Sequence, residues 1–381
     1  MISFESKRIL GTIPALIDKT FPIPGRFRGK LPSDIAELSR LLTSNRGDRS
    51  LSYLGRPNFL SAYLHYFMPW NLYRLCLLLP ALNINLTAGN TITDLGCGPL
   101  TFVSALWITR PDLRSVPLEF NCIDRVFPVL EAGKKFFSAL GESTWKINLI
   151  KKDINIQKTD DRGSRKNASL VCTVNLFNEI HERVSHNNTE ALRLMAANAA
   201  RYMHSEAAKD ASILTVEPGV PQSGRFISLL RSEFINLGRK PASPCTHEGY
   251  CPLLPHKHGS SAKKERWCHF AFEASDTPKD LQNLSKAAKL PKERLVFSFL
   301  LTGTASAEGK IRVISDAFPL PGNRFGRYGC SGEGLILLAG EKKTMENACS
   351  LSLVEQGRSA FDIIATEERD AKSGALIYEV K

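Results

Sequence analysis

Apolar residues recur at helical spacing over roughly the first 85 positions and at strand spacing after them. Asp34 to Leu42 puts Ile35, Leu38, Leu41 and Leu42 on one face of a helix, and Leu31-Pro32-Ser33 supplies its start signal. Tyr53 to Leu79 is denser in aromatic and aliphatic residues. Pro69 predicts a break there, because proline has no N–H to give the preceding turn. From Asn90 the pattern alternates. Strands are predicted over Thr91–Leu95, Leu118–Ile123, Asn148–Lys152, Ser169–Leu176 and Ser212–Val216, with helices between them, clearest at Thr101–Ile108 and Thr189–Tyr202. Strands alternating with helices imply right-handed crossovers and a parallel sheet covered on both faces. The expected class is α/β, a Rossmann-like doubly wound sheet.

Beyond a helix at Gly224–Leu237 the regular pattern lapses. Gly238–Trp267 is irregular and rich in Pro, Gly, His and Lys. Two more strands are predicted at Arg294–Leu301 and Gly334–Ala339, both expected to complete the same sheet, and a hairpin at Phe361–Thr366 with Ala375–Val380. The divisions that follow are a helical region over 1–85, a cofactor-binding core over 86–237, a cysteine-rich insert over 238–293, completing strands over 294–340 and a tail over 341–381. No internal repeat stands out.

Chemistry enters at the end of the first predicted strand. In an open parallel sheet, ligands sit beyond the carboxyl ends of the strands where the strand order reverses. Asp94-Leu95-Gly96-Cys97-Gly98-Pro99 occupies that place. Gly96 and Gly98 allow a tight turn and close approach of a ligand to the backbone. Asp94 can accept hydrogen bonds from the turn or, through water, from the cationic amino-acid end of a ligand. The third glycine of the dinucleotide fingerprint is missing, and no Gly-Lys-Ser/Thr is present to cradle phosphate. A strand, then D-x-G-x-G, then an acidic residue closing the next strand is the S-adenosylmethionine pattern. Asp124 is placed for the two ribose hydroxyls and Asp153 for the adenine amino group, although a lone Asp153 is also what a solvated loop looks like.

Asn175-Leu176-Phe177-Asn178-Glu179 follows the fourth strand in place of the Asn/Asp-Pro-Pro-Tyr of amino methylation. Asn175 joins the candidate cofactor residues. Asn178 and Glu179 face the donor methyl in one reading and cap the next helix in the other. His181-Glu182 with His186 is no zinc-protease motif, since histidines five apart splay around a helix.

The formal charge of +12 favours a polyanionic partner, of which RNA is the commonest, and the plainer reading is a merely basic surface. The 43% hydrophobic content excludes a largely disordered chain. Apolar runs such as Leu75–Leu82 fall short of the roughly 20 residues of a membrane helix. The first residues lack the apolar region of a signal peptide, and Glu5 and Asp18 interrupt what a transit peptide would need. A monomer in a cytosol-like compartment is expected, with no membrane association.

The nine cysteines divide by context. Cys76, Cys97, Cys122 and Cys172 lie among apolar residues and read as small buried hydrophobes. Cys245, Cys251, Cys268 and Cys330 lie among Gly, Pro, His and charged residues. Four thiolates satisfy tetrahedral zinc or an iron–sulfur cluster, and the spacing fits neither common rule. His247, His256, His258 and His269 crowd the same segment and can replace a thiolate at zinc. A nucleophilic cysteine attacking a cytosine base is the further reading, weakened because Cys245 lies past a helix from the fifth strand.

Together these residues resemble one family, the methyltransferase-like assembly proteins of the small ribosomal subunit, found in mitochondria and in bacteria. Tyr53-Leu54 through Ala62-Tyr63 to Pro69, Asp94 to Pro99, and Glu217-Pro218-Gly219 each look like a family motif. The most specific match is Pro-Cys-x-His-x-Gly-x-Cys-Pro at Pro244–Pro252 followed by Trp267-Cys268-His269-Phe270. The resemblance covers about Leu31 to Ala339. It implies a class I S-adenosylmethionine-dependent methyltransferase fold and a [4Fe-4S] cluster on Cys245, Cys251, Cys268 and Cys330. It further implies binding to small-subunit ribosomal RNA in ribosome assembly or translation, in the cytoplasm or, alternatively, the mitochondrial matrix. Two other readings stand beside it: an active methyltransferase on ribosomal RNA or a ribosomal protein, and a zinc-stabilised RNA-binding module with an empty cofactor pocket.

Overall fold

A computed structural model describes residues 2–43, 53–157, 167–180, 189–254, 266–303, 309–347, 350–354 and 363–381. The chain divides into two compact units. The first comprises Met1–Ser185, Ser205–Ala211 and Phe272–Leu295, and the second His186–His204, Ser212–Ala271 and Val296–Lys381. His181, Glu182, His186, His256, His258 and Cys349 lie outside the described residues.

In the first unit, strands β1 (Thr91–Leu95), β2 (Glu119–Asp124), β3 (Lys146–Lys151) and β4 (Ala168–Val174) run parallel in the order β3-β2-β1-β4. From β1 the chain goes to β2 on one side and returns as β4 on the other, so the order reverses between β1 and β4. That is where a doubly wound sheet opens its crevice. The strands are buried along β1, Ile92 to Leu95, because helices cover both faces.

The amino-terminal region is helical at Phe4–Thr20, Leu31–Leu42 and through Pro57–Leu78. Pro69 does not break this last stretch. A turn of π-helix, Tyr63–Phe67, precedes it, and the Met68 N–H donates to Tyr63 O, so the missing proline donor is absorbed by a register change. The amphipathic helix Lys279–Ala287, where the sequence reading had no element, also belongs to this unit. It is tied to the amino-terminal helices by Trp70 Nε1 donating to Ser285 Oγ at 3.2 Å. Nearby, Tyr66 OH donates to Leu290 O at 3.0 Å.

Strand β5 (Ala207–Pro218) begins in the first unit, and its later residues lie in the second, where β6 (Pro241–Ser243) also lies. The chain then passes β7 (Phe270–Glu273) to β8 (Arg294–Thr302), which pairs antiparallel with both β5 and β6. Parallel strands in the order 3-2-1-4, with a late antiparallel strand beside the fifth, are the arrangement of the class I S-adenosylmethionine-dependent methyltransferase fold. No helix among the described residues is long and apolar enough to cross a membrane.

The second unit contains a sheet that the sequence reading did not separate. Strands β9 (Ile311–Val313), β10 (Phe318–Leu320), β11 (Arg324–Ser331), β12 (Gly334–Gly340), β13 (Leu353–Val354), β14 (Ile363–Arg369) and β15 (Leu376–Val380) pair in the order β13-β9-β11-β12-β15-β14, with β10 on β11. The strand predicted at Gly334–Ala339 was expected to complete the first sheet, and as β12 it instead pairs with β11 and β15. The two-residue connection from β11 to β12 makes that local antiparallel pairing cheap in loop entropy. Val313, Ile336, Leu338, Met345 and Tyr378 form the core of this sheet.

Candidate cofactor site and four-cysteine site

Both candidate sites lie within single units, the first beyond β1 and β4 and the second around the segment after β6. At the first, β1 runs into Gly96-Cys97-Gly98-Pro99-Leu100 and the helix Thr101–Thr109. Gly96 and Gly98 have φ of +68° and +53°, backbone that side chains adopt only with strain. The turn is held from β2. Gly96 and Cys97 donate to Ile123 O at 2.8 and 3.1 Å, and Gly98 N–H donates to Asp124 Oδ2 at 3.0 Å. Asp124 Oδ1 accepts from Val126 N–H at 2.9 Å. Asp124 thus fastens the turn, and each of its oxygens keeps a second lone pair. Burial raises its carboxyl above the usual range while the Val126, Gly98 and Arg125 groups pull it back.

The two glycines differ in what surrounds them. A Cβ on Gly96 would stand 2.7 Å from Leu176 Cδ1, whereas a Cβ on Gly98 would meet nothing within 4 Å. Gly133, on the helix Phe127–Leu140, comes so close to the turn that a Cβ there would stand 2.4 Å from the carbonyl carbon of Pro99. Nothing in the sequence marked Gly133.

The resulting cavity holds about 270 Å³ of empty volume, counting space open to solvent, and is lined in part by Asp94, Gly98, Asn175, Tyr63 and Asn71. Asp94 is 0% exposed, and neither carboxylate oxygen accepts a hydrogen bond from an N–H or O–H group. Its polar neighbour is the Cys172 thiol on β4, its register partner. Burial, with the Asp124 charge adding to it, pushes the Asp94 carboxyl up to about 7 against the pull of that thiol. Asn175 caps β4 with φ of +58°, and its buried Oδ1 has no donor. A buried acceptor without a donor costs roughly 1–3 kcal/mol, more when charged. Asp94 and Asn175 place such acceptors in one cavity.

Tyr63 and Asn71 reach the cavity from the amino-terminal helices. The sequence flagged Ala62-Tyr63 as a motif without a role, and Asn71 carried no signal. Burial, reinforced by Glu179 and Asp124, raises the Tyr63 phenol far above its ordinary value, so it stays protonated. Asp153 stands apart: β3 ends at Lys151, and Asp153 is exposed in the loop that follows, outside the residues lining the cavity. Glu179 is also engaged, accepting from Tyr53 OH at 3.1 Å with Arg125 Nη2 at 3.5 Å.

The second cavity brings together the cysteines that the spacing alone could not join. Cys245, Cys251, Cys268 and Cys330 line one space with Arg231 and His247, about 410 Å³ empty by the same measure. Cys245 and Cys251 share the irregular segment after β6, and the other two come from elsewhere. Cys330 is on β11, and Ser298 Oγ on β8 donates to Cys268 O at 2.7 Å. The preceding Trp267 lies over Gly224 of the helix Pro221–Asn236, where a Cβ would stand 2.5 Å from the ring, and donates from Nε1 to Gly219 O at 3.0 Å. Glu217-Pro218-Gly219 therefore anchors the tryptophan beside Cys268.

Burial raises the Cys245, Cys268 and Cys330 thiols, and the charge of neighbouring cysteines raises each further. His247 Nε2 stands 3.4 Å from Cys330 Sγ, and burial with Arg231 lowers its imidazole to about 4. His269 instead stacks on Trp267, with ring centroids 5.0 Å apart. None of the eight described cysteines is in a disulfide, and Cys76, Cys97, Cys122 and Cys172 are buried. Among the described residues, no three His, Cys, Asp or Glu side chains are grouped closely enough to hold a single metal ion.

Among solved structures, the citrinin polyketide synthase CMeT domain is similar at 15% identity, covering 80% of each chain with a TM-score of 0.37. A putative class I S-adenosylmethionine-dependent methyltransferase from Listeria monocytogenes is similar at 9% identity, covering 79% of this chain and 87% of its own, with a TM-score of 0.32. The crystal structure of PH0851 matches at 11% identity and a TM-score of 0.33 over 61% of this chain, which spans 45% of that one. No curated protein matches the chain. The model of a protein family described as mitochondrial small ribosomal subunit Rsm22 matches residues 121–318, taking in Asp124, Cys245, Cys251 and Cys268 but neither the glycine-rich turn nor Cys330. That match spans just over half of the 381 residues, and the chain belongs to the Rsm22 family.

Proposed function

We propose that this chain is an S-adenosylmethionine-binding factor that carries a [4Fe-4S] cluster and works on the small ribosomal subunit by binding its RNA. The buried oxygens of Asp94 and Asn175, which accept from no N–H or O–H group at the crevice, carry the cofactor half of this reading. The cationic amino group of S-adenosylmethionine supplies the charge and donors they lack. Gly98 offers open space for the ligand, and Asp124 has lone pairs left for the ribose. Calorimetry on the full chain tests it: binding of S-adenosylmethionine or its demethylated product is expected, and absence of heat from protein that carries no co-purified cofactor contradicts it.

For the metal, the gathering of four cysteines in one cavity carries the reading. Zinc holds sulfur at about 2.3 Å, so its thiolates must crowd within about 4 Å of one another. A cluster gives each thiolate its own iron and accepts wider spacing, and it is the cluster that the resemblance implies. Cys245, Cys251, Cys268 and Cys330 would hold the cluster, which would tie the segment after β6 to β11 and could supply one-electron chemistry.

The family's description and the charge of +12 support the ribosomal partner. The description also favours the mitochondrial matrix over the cytosol. Sedimentation with small-subunit particles in a low-salt gradient is expected, and migration only at the top contradicts it. Binding is favoured over turnover, because Glu179, the carboxylate nearest to a base position in the sequence, is already held by Tyr53 and Arg125.

A further inference from the structure

Two arginines the sequence did not single out are buried at the four-cysteine cavity, Arg231 at 3% and Arg312 at 8% exposure. Arg231 lines the cavity from the helix Pro221–Asn236, and its Nη2 donates to His247 O at 2.6 Å and Gly249 O at 2.8 Å. Those carbonyls lie between Cys245 and Cys251. Its Nε is buried with no partner. Arg312, on β9, is the cross-strand partner of Cys330, which puts the two side chains on one face. Its Nε donates to Pro244 O at 2.8 Å, next to Cys245, and its Nη1 to Leu351 O at 2.5 Å.

Every hydrogen-bond partner named here is a neutral carbonyl, and no ion pair to a carboxylate is formed by either arginine among the described residues. Two buried cations in one place without an anion are costly, because buried charge requires a counter-charge. The groups beside them that can supply negative charge are the four cysteines. Four thiolates around a dipositive metal core carry a net charge of about −2, which two guanidiniums balance.

We infer, on the reading of this cavity as a metal site, that Arg231 and Arg312 are its counter-charges, stabilising the thiolate-bound centre and favouring its reduced, more negative state. The rival role is that of a mere staple for loop carbonyls. Charge separates the two: lysine keeps the cation but loses the fork that spans two carbonyls, whereas glutamine loses the cation.

The test uses full-length protein purified without oxygen, as wild type and as Arg231→Gln, Arg231→Lys, Arg312→Gln and Arg312→Lys. Metal content, S-adenosylmethionine affinity as a check on folding, and the midpoint potential are measured on each. Each glutamine variant is expected to lose about tenfold in preference for the reduced state, about 59 mV downward for one electron, with cofactor affinity unchanged. Each lysine variant should stay within about a third of that shift. Equal shifts for Gln and Lys, or none, overturn the inference. Should the glutamine variants not fold, pulsed paramagnetic resonance on reduced wild type carrying 15N-arginine gives the answer: hyperfine coupling to guanidinium nitrogen supports it and its absence refutes it. If the protein carries zinc, the cluster reading falls, yet the counter-charge is still read from chelator competition. Glutamine variants should then release zinc at about tenfold lower chelator than lysine variants, and equal release refutes it.

Discussion

The two cavities are built on opposite principles. At the candidate cofactor site a regular backbone does the positioning: parallel strands end together, and one short turn is pinned by hydrogen bonds to Ile123 and Asp124. At the cysteine site the supports are a helix, strands of two sheets and an irregular segment, and the converging side chains span 245 to 330. A site carried by regular backbone can form before its ligand arrives. A site assembled from an irregular segment and distant elements gains order from the ligand that joins them.

The largest contrast should come from the cysteines. Replacing Cys245, Cys251, Cys268 or Cys330 with serine is expected to abolish metal binding, a loss on the order of 10 kcal/mol by analogy with structural metal sites. Limited proteolysis should then cut near 244–269 while calorimetry finds S-adenosylmethionine affinity within about threefold of wild type. Cys76→Ser should leave the metal content untouched. Equal metal loss in Cys76→Ser, or none in the four, would erase the contrast.

Asp94 offers the next effect. Its carboxyl is held at about 7, above the value near 3.9 of an unfolded chain. The folded state therefore keeps a proton that the unfolded state loses, so ligand-free stability falls as pH rises from about 4 to about 7 and then levels. Asp94→Asn should stabilise the free protein at pH 8, by up to a few kcal/mol in denaturant melts. In wild type, S-adenosylmethionine affinity should climb up to about tenfold per unit below pH 7 and flatten above it, because the carboxylate form binds the cation. The same titration on Asp94→Asn should be flat and weaker. A wild-type affinity independent of pH would remove the role given to Asp94.

Gly133→Ala probes the turn from behind. Alanine gains up to about 1 kcal/mol in helix propensity, yet its Cβ would drive into the Pro99 backbone. A net loss of about 1–3 kcal/mol, with weaker cofactor binding, is expected. Smallest is the effect of Gly98→Ala on the free protein, about 1 kcal/mol of left-handed strain with no clash. Gly96→Ala adds the contact with Leu176 and should destabilise more. Chemical denaturation of the three variants ranks them, and a Gly98→Ala loss larger than that of Gly96→Ala would contradict the geometry.

What the sequence revealed follows the same division. Asp94, Gly96, Gly98 and Asp124 were legible as candidates because strand ends in a parallel sheet carry local motifs, and Asn175 followed as the end of β4. Asp153 was placed by the same rule, but β3 ends earlier and leaves it exposed. Tyr63 and Asn71 come from helices before the sheet, where no periodicity announces which residues meet a cavity. The β12 strand was found but given to the wrong sheet, since an apolar run does not name its partner. The four cysteines were visible as a group only through their polar context and the resemblance. Arg231 and Arg312 were not, because a buried arginine has no sequence pattern of its own.

Iron, acid-labile sulfide and zinc measured per chain on anaerobically purified wild-type protein test the central claim most directly. About four iron and four sulfide, lost together in each of the four Cys→Ser variants, is the expected result. Protein free of iron, whether it carries one zinc or no metal, would contradict it.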